Sequence, residues 1–147
     1  MFETYGQAAR LVVYEASRAT KTLGGNETTP RYLLLGILRW HPEVLGGAKS
    51  EPSTTDELKL LLETTLRSRW KFFKWLWPDP APLSENLKDV FRYAQEEADR
   101  LGHVWKEPGH LVLGILRSDD PARDLLLERG VSAESIRQWM SQGKTAP

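Results

Sequence analysis

Few residues in this chain are placed to do covalent chemistry. Its three histidines, His41, His103 and His110, show no His-x-x-x-His or similar ligand spacing. There is no cysteine, which removes thiolate catalysis, disulfides and thiolate-bound zinc, and suits a reducing compartment. Carboxylates come in pairs at Glu96-Glu97 and Asp119-Asp120. A general acid and its base need a shared cleft, however, and these positions read as solvated helix faces and caps. No serine lies in a nucleophile-elbow context, and no Gly-x-x-x-x-Gly-Lys-[Ser/Thr] phosphate loop occurs, so ATP hydrolysis by that route is excluded. The expectation is a non-enzymatic chain with no catalytic residues, no metal and no cofactor.

One stretch does carry binding chemistry. Arg67-Ser68-Arg69-Trp70-Lys71-Phe72-Phe73-Lys74-Trp75-Leu76-Trp77 holds three of the six tryptophans and two of the four phenylalanines. At helical spacing Leu62, Leu66, Trp70, Phe73 and Trp77 form one stripe, Arg67, Lys71 and Lys74 form another, and Trp75 lies off the apolar one. Two readings stay open. Trp70, Phe73 and Trp77 pack as core in a groove, or the segment is a docking surface, since Trp, Phe and Arg are enriched at binding hot spots. Basic residues interleaved with aromatics also suit an anion or nucleic-acid platform through Arg67, Arg69, Lys71 and Lys74, or an interfacial membrane helix.

The bulk numbers bound the rest. A chain of 147 residues buries roughly 70% of its unfolded surface without staples. Twenty basic and twenty acidic residues cancel, so no global field draws it to nucleic acid or membrane. Neither a signal-peptide pattern nor an apolar run approaching ~18 residues is present, and a cytoplasmic protein is expected.

The elements that would position any site come from a phrase written twice. Residues 30–39 read PRYLLLGILR and residues 108–117 read PGHLVLGILR, with seven of ten positions identical at an offset of 78. Proline at the first helical position loses no hydrogen bond, with Thr28 or Thr29 available as the cap in the first copy. The apolar run that follows covers nearly every face, which marks a buried helix. A mid-helix glycine costs about 1 kcal/mol against alanine, so its presence in both copies predicts a close helix crossing.

The same offset extends outward. Val12-Val13 falls on Val90-Phe91, Ala16 on Ala94, Leu23-Gly24 on Leu101-Gly102 and Leu58-Lys59 on Ile136-Arg137. Amphipathic helices are predicted over about 6–23 and 84–101, each stopped by glycine. In the second copy Asp120-Pro121 caps a third helix to about Arg129, and Ser132 caps a fourth carrying Ile136, Trp139 and Met140. In the first copy Pro42, Gly46, Gly47 and Pro52 break the third helix, which predicts a short turn and a loop over about 46–53. The fourth is predicted over 55–66 with Leu58, Leu61, Leu62 and Leu66 inward, running on into the Trp-rich stretch. The fold class is all-α: two tandem four-helix repeats with pseudo-twofold symmetry, about eight helices. The chain reads as a single double-repeat domain over 1–147, with repeat one at 1–66, the Trp-rich insert and linker at 67–82 and repeat two at 83–147.

These residues resemble a known family, the N-terminal double-repeat domain of the Clp-type AAA+ unfoldases ClpA, ClpB and ClpC. Met1-Phe2-Glu3, Ala9-Arg10, Val12-Val13 and Ala16 are similar to its opening helix. Thr29–Leu38 and Glu107–Leu116 are similar to its repeated Gly-Thr-Glu-His-Leu-Leu-Leu-Gly-Leu-Leu phrase. The resemblance implies a mobile docking platform that hands substrates and adaptors to an ATPase ring, here like the freestanding members of the family. In ClpC-type members the glutamate of each phrase grips phosphoarginine; those positions are Arg31 and Gly109 here, so that activity is not carried over. The histidine that follows is Tyr32 in the first copy and His110 in the second, where a hydrogen-bonded packing role is expected.

The functional expectation is a protein-binding module that docks a substrate, adaptor or subunit of the Clp unfoldase/protease system. An apolar segment of the partner would enter a groove between the repeats, with Arg31, Tyr32, Gly109 and His110 near its rim and Trp70, Phe73, Trp75 and Trp77 beside or within it. The alternative is anion or nucleic-acid binding through residues 67–77.

Overall fold

Each copy opens with an amphipathic helix that a left-handed glycine closes. α1 (Gln7–Leu23) ends at Gly24, φ 81°, and the corresponding helix Glu85–Leu101 ends at Gly102, φ 70°. The structure, a computed structural model, describes residues 3–46, 52–67 and 81–142. Among these residues the chain is all-α, with eight helices and two isolated backbone bridges. After α1 come α2 (Pro30–Trp40), α3 (Glu43–Gly46) and α4 (Pro52–Leu66). The second copy supplies α5 (Glu85–Leu101), α6 (Pro108–Arg117), α7 (Pro121–Glu128) and α8 (Ala133–Ser141).

The two copies of the repeated phrase are the buried helices. Pro30 and every residue from Tyr32 to Leu38 are buried in α2, as are Pro108 to Ile115 in α6. Each packs most closely on the amphipathic helix before it, and the glycines explain how. A Cβ on Gly36 would stand 2.7 Å from the carbonyl oxygen of Val12, and one on Gly114 would collide with the carbonyl of Val90. Val12 and Val90 are themselves equivalent by the offset of 78. The helix-propensity penalty of glycine is accepted because only a hydrogen fits between the backbones.

The repeats are tied to one another by reciprocal backbone pairing. Gly6 N–H donates to Lys106 O at 2.9 Å and Lys106 N–H to Thr4 O at 2.9 Å. Ser84 N–H donates to Thr28 O at 3.0 Å and Thr28 N–H to Pro82 O at 2.8 Å. Adding 78 to 4, 6 and 28 gives 82, 84 and 106, so the second pair of bonds is the first with the repeats exchanged. The segment entering each first helix thus pairs with the loop before the other copy's buried helix. α2 also packs on α5, α6 and α7, and α1 on α6.

Several details depart from the sequence-based expectations. Thr29 occupies the N-cap position of α2, but its side chain makes no cap bond, while Thr28 Oγ1 accepts instead from Thr20 Oγ1 at 2.9 Å. Asp120 and Ser132 do cap α7 and α8, through Ala122 N–H and Ser135 N–H. Pro52, expected in a loop, is the first residue of α4, where its missing N–H costs nothing. Leu58, Leu62 and Leu66 are buried but Leu61 is exposed, so the inward stripe of α4 is narrower than predicted. α4 stops at Leu66 rather than continuing through Arg67. Its last turn carries Thr64 and Thr65, whose hydroxyls bond back to the carbonyls of Leu60, Leu61 and Leu62, a competing bond that loosens a helix end.

Candidate functional site

The carboxylates singled out as candidates prove structural. Glu97 is buried, not solvated as expected, and accepts two bonds from Arg137 of α8 at 3.1 and 2.8 Å, with Arg117 of α6 at 3.5 Å. The Arg137 hydrogen bonds hold its pKa below the usual carboxylate range against the opposing effect of burial, with the Arg137, Arg117 and Arg100 charges adding to them. Glu96 is exposed and pairs with Arg117 at 2.7 Å, and Asp120 is the helix cap. In the first copy burial pushes buried Glu15 upward, but hydrogen bonds from Arg39, Arg18 and Trp40 outweigh it and leave its pKa lowered. Arg39, equivalent to Arg117, also reaches Glu63 of α4 at 3.1 Å. Each network ties the first, second and fourth helices of its copy together. Among the described residues no three His, Asp or Glu side chains converge as a metal site.

The N-terminal ends of α2 and α6 differ between the copies. In the second, His110 is buried, and its Nδ1 accepts from Glu107 N–H at 2.8 Å. That leaves the proton on Nε2, which donates to His103 Nδ1 at 2.9 Å. Burial, with the neighbouring His103, drops the His110 pKa to about 4, so the ring is neutral at ordinary pH. Gly109 is covered by Met140, whose Sδ would lie 2.5 Å from a Cβ there. Neither Gly109 nor His110 is presented to a partner at the surface.

In the first copy the corresponding place is open. Gly25, Asn26, Glu27, Thr29, Arg31, Tyr32, Thr65 and Leu66 line a surface recess of about 530 Å³. Tyr32 stands where His110 does, and Gly25 where His103 does. A Cβ on Gly25 would collide with the Tyr32 hydroxyl, so a large ring facing glycine replaces two imidazoles facing each other. Arg31 replaces Gly109, forms no ion pair among the described residues, and keeps its Nε shielded from solvent without a hydrogen-bond partner. Thr29 Oγ1 is in the same condition.

Of the expected contact residues, Arg31 and Tyr32 therefore line one recess, whereas Gly109 and His110 lie buried elsewhere and are absent from its lining. The recess is built from the first repeat alone and not from a groove between repeats. Trp70, Phe73, Trp75 and Trp77 lie outside the described residues. Gly25, Asn26, Glu27 and Thr65 were not singled out from the sequence, and Thr29 only as a cap, although comparing Gly25/Tyr32 with His103/His110 at the offset of 78 exposes the asymmetry.

Comparison with known proteins places this architecture. The Clp repeat (R) N-terminal domain profile matches residues 82–143. An uncharacterised protein of Mycobacterium tuberculosis is 31% identical over 119 residues, covering 81% of this chain and 45% of that protein. The chloroplastic chaperone protein ClpC of Pisum sativum is 27% identical over 139 residues, covering 93% of this chain and 15% of the relative. The chain thus spans less than half the length of these relatives. The N-terminal domain of Hsp104 from Candida albicans superposes with a TM-score of 0.74 at 16% identity, over 99% of this chain and 94% of that one. The N-terminal domain of the caseinolytic-protease-associated chaperone ClpD from Arabidopsis thaliana does so with a TM-score of 0.67 at 19% identity, over 98% and 97%. The second copy thus matches the Clp repeat (R) N-terminal domain over residues 82–143, and the described chain has the all-α fold of the Hsp104 and ClpD N-terminal domains, built from duplicated helices with reciprocal pairing.

Proposed function

We propose that this chain is a non-enzymatic protein-binding module that works as one double-repeat unit and docks a substrate, adaptor or subunit of a Clp unfoldase/protease system. In the ClpA/B/C-type chaperones the related domain is a substrate- and adaptor-binding module, and Clp N-terminal domains are non-catalytic accessory domains. The observation that carries the reading is the open recess of the first repeat, walled by Arg31, Tyr32 and Leu66, where the second repeat is filled by His103, His110 and Met140. A recess with an apolar wall and a few convergent polar groups is the usual form of a recognition site. Leu61, one turn before Thr65 on α4, is also exposed.

Capture from a cell extract of the source organism tests it. Thr65→Trp fills the recess from an exposed position without touching the core, and is expected to abolish capture of polypeptides that the unaltered chain retains. Gln95→Trp, on the exposed face of α5, is expected to leave capture unchanged. Retention of the same polypeptides by Thr65→Trp would contradict the assignment of the recess. The basic-aromatic segment 67–77 offers the second reading, anion or nucleic-acid binding, which predicts steep weakening with salt where apolar docking responds little.

A further inference from the structure

We propose that the first-repeat recess is a carboxylate site: it takes an acidic side chain or the chain-terminal carboxylate of the bound polypeptide, and takes one per molecule. The inference rests on the docking role proposed above and names the chemistry recognised there.

Arg31 lines the recess and has no ion pair among the described residues, unlike Arg18, Arg39, Arg92, Arg117 and Arg137, which all engage carboxylates. Its Nε, and the Thr29 hydroxyl beside it in the lining, are shielded from water without a hydrogen-bond partner. Polar atoms in that condition are uncommon in folded proteins, because each forfeits its hydration and gains nothing in return. A planar guanidinium offers two parallel N–H donors that match the two oxygens of a carboxylate, and Arg31 is part of the recess lining. α2 begins at Pro30, so the positive end of an eleven-residue helix faces the same space. Glu27 on the lining weighs against a doubly charged group and so favours a single negative charge. Leu66 supplies an apolar wall for the residue next to the carboxylate.

The second repeat keeps the helix N-terminus, at Pro108, but not the guanidinium or the open space before it. Gly109 replaces Arg31, Met140 covers it, and His103 packs against His110 where Gly25 faces the Tyr32 hydroxyl in the first copy. One site per chain follows.

The test titrates three short peptides into the full ¹⁵N-labelled chain, following the Arg31 Nε–H resonance and the amides of Thr29 and Thr65. Acetyl-Leu-Glu-Leu-amide carries a side-chain carboxylate, acetyl-Leu-Gln-Leu with a free chain end carries a terminal one, and acetyl-Leu-Gln-Leu-amide carries neither. At least one charged peptide is expected to shift these signals saturably at one per chain and to bind at least about tenfold more tightly than the neutral peptide, the ratio a charge-assisted pair provides. Which charged peptide binds better identifies the source of the carboxylate. Arg31→Gln, at a side chain that makes no bonds in the fold, is expected to remove the preference, and Arg31→Lys to keep part of it. Equal binding of the neutral peptide would overturn the carboxylate assignment while leaving docking at the recess intact. Silence of all three peptides at millimolar concentration, or a preference that survives Arg31→Gln, would overturn it too, and the Thr65→Trp capture experiment would then judge the docking role separately.

Discussion

Two side-chain exchanges at equivalent positions separate an open end from a closed one: Tyr32 with Gly25 in the first repeat, His110 with His103 in the second. The imidazole pair has a consequence for stability. The folded chain keeps His110 neutral down to about pH 4, because burial and the adjacent His103 oppose its protonation, with the Lys106 charge opposing it too and Glu107 and Glu97 acting the other way. An unfolded ring takes a proton near pH 6.5, so between these values the unfolded state holds the extra proton. The contribution is complete above about pH 6.5 and is lost as pH falls toward 4, on the order of 3 kcal/mol across the window. Urea midpoints at pH 7 and pH 5 check it: the unaltered chain is expected to lose stability over that step, and His110→Gln, whose amide does not titrate, to lose markedly less. The packing role of His110 was legible from its place on an apolar helix. Its partner was not, since His103 lies in a loop whose direction no periodicity reveals.

At the scale of elements, the arginine near the end of each buried helix sets the position of its neighbours. Arg39 joins α2 to Glu15 of α1 and Glu63 of α4, and Arg117 joins α6 to α5 while Arg137 brings α8 to the same Glu97. Removing the shared carboxylate leaves three guanidiniums, those of Arg100, Arg117 and Arg137, without their buried partner. Glu97→Ala is expected to cost about 2–3 kcal/mol by chemical denaturation, whereas Glu96→Ala, which removes an exposed pair, is expected to stay within about 0.5 kcal/mol. Similar losses from both would show that the buried network carries no special share. Helix order, the glycine crossings and the caps at Asp120 and Ser132 followed from local pattern and spacing. Glu97 did not, because a carboxylate on an amphipathic helix looks solvated until the helix that supplies Arg137 is placed. The start of α4 at Pro52 was missed because proline marks a helix start as readily as a loop.

At the scale of the molecule, duplication has built a symmetric frame and substitution has made it asymmetric. The frame is seen in the exchange-related bonds Gly6–Lys106 and Ser84–Thr28, which close each repeat onto the other. The sequence held the repeat in plain view but not this interlock, since single backbone bridges leave no side-chain signature. The asymmetry lies in the recess, open beside Arg31 and filled beside His110, and the proposed docking role places partner binding on the first repeat. Site-specific cross-linking measures that most directly. A benzophenone side chain placed at Asn26, exposed on the rim of the recess, is expected to cross-link a captured polypeptide, and one at the equivalent Val104, exposed in the loop beside the filled site, is expected not to. Cross-linking from position 104 with none from position 26 would contradict the account.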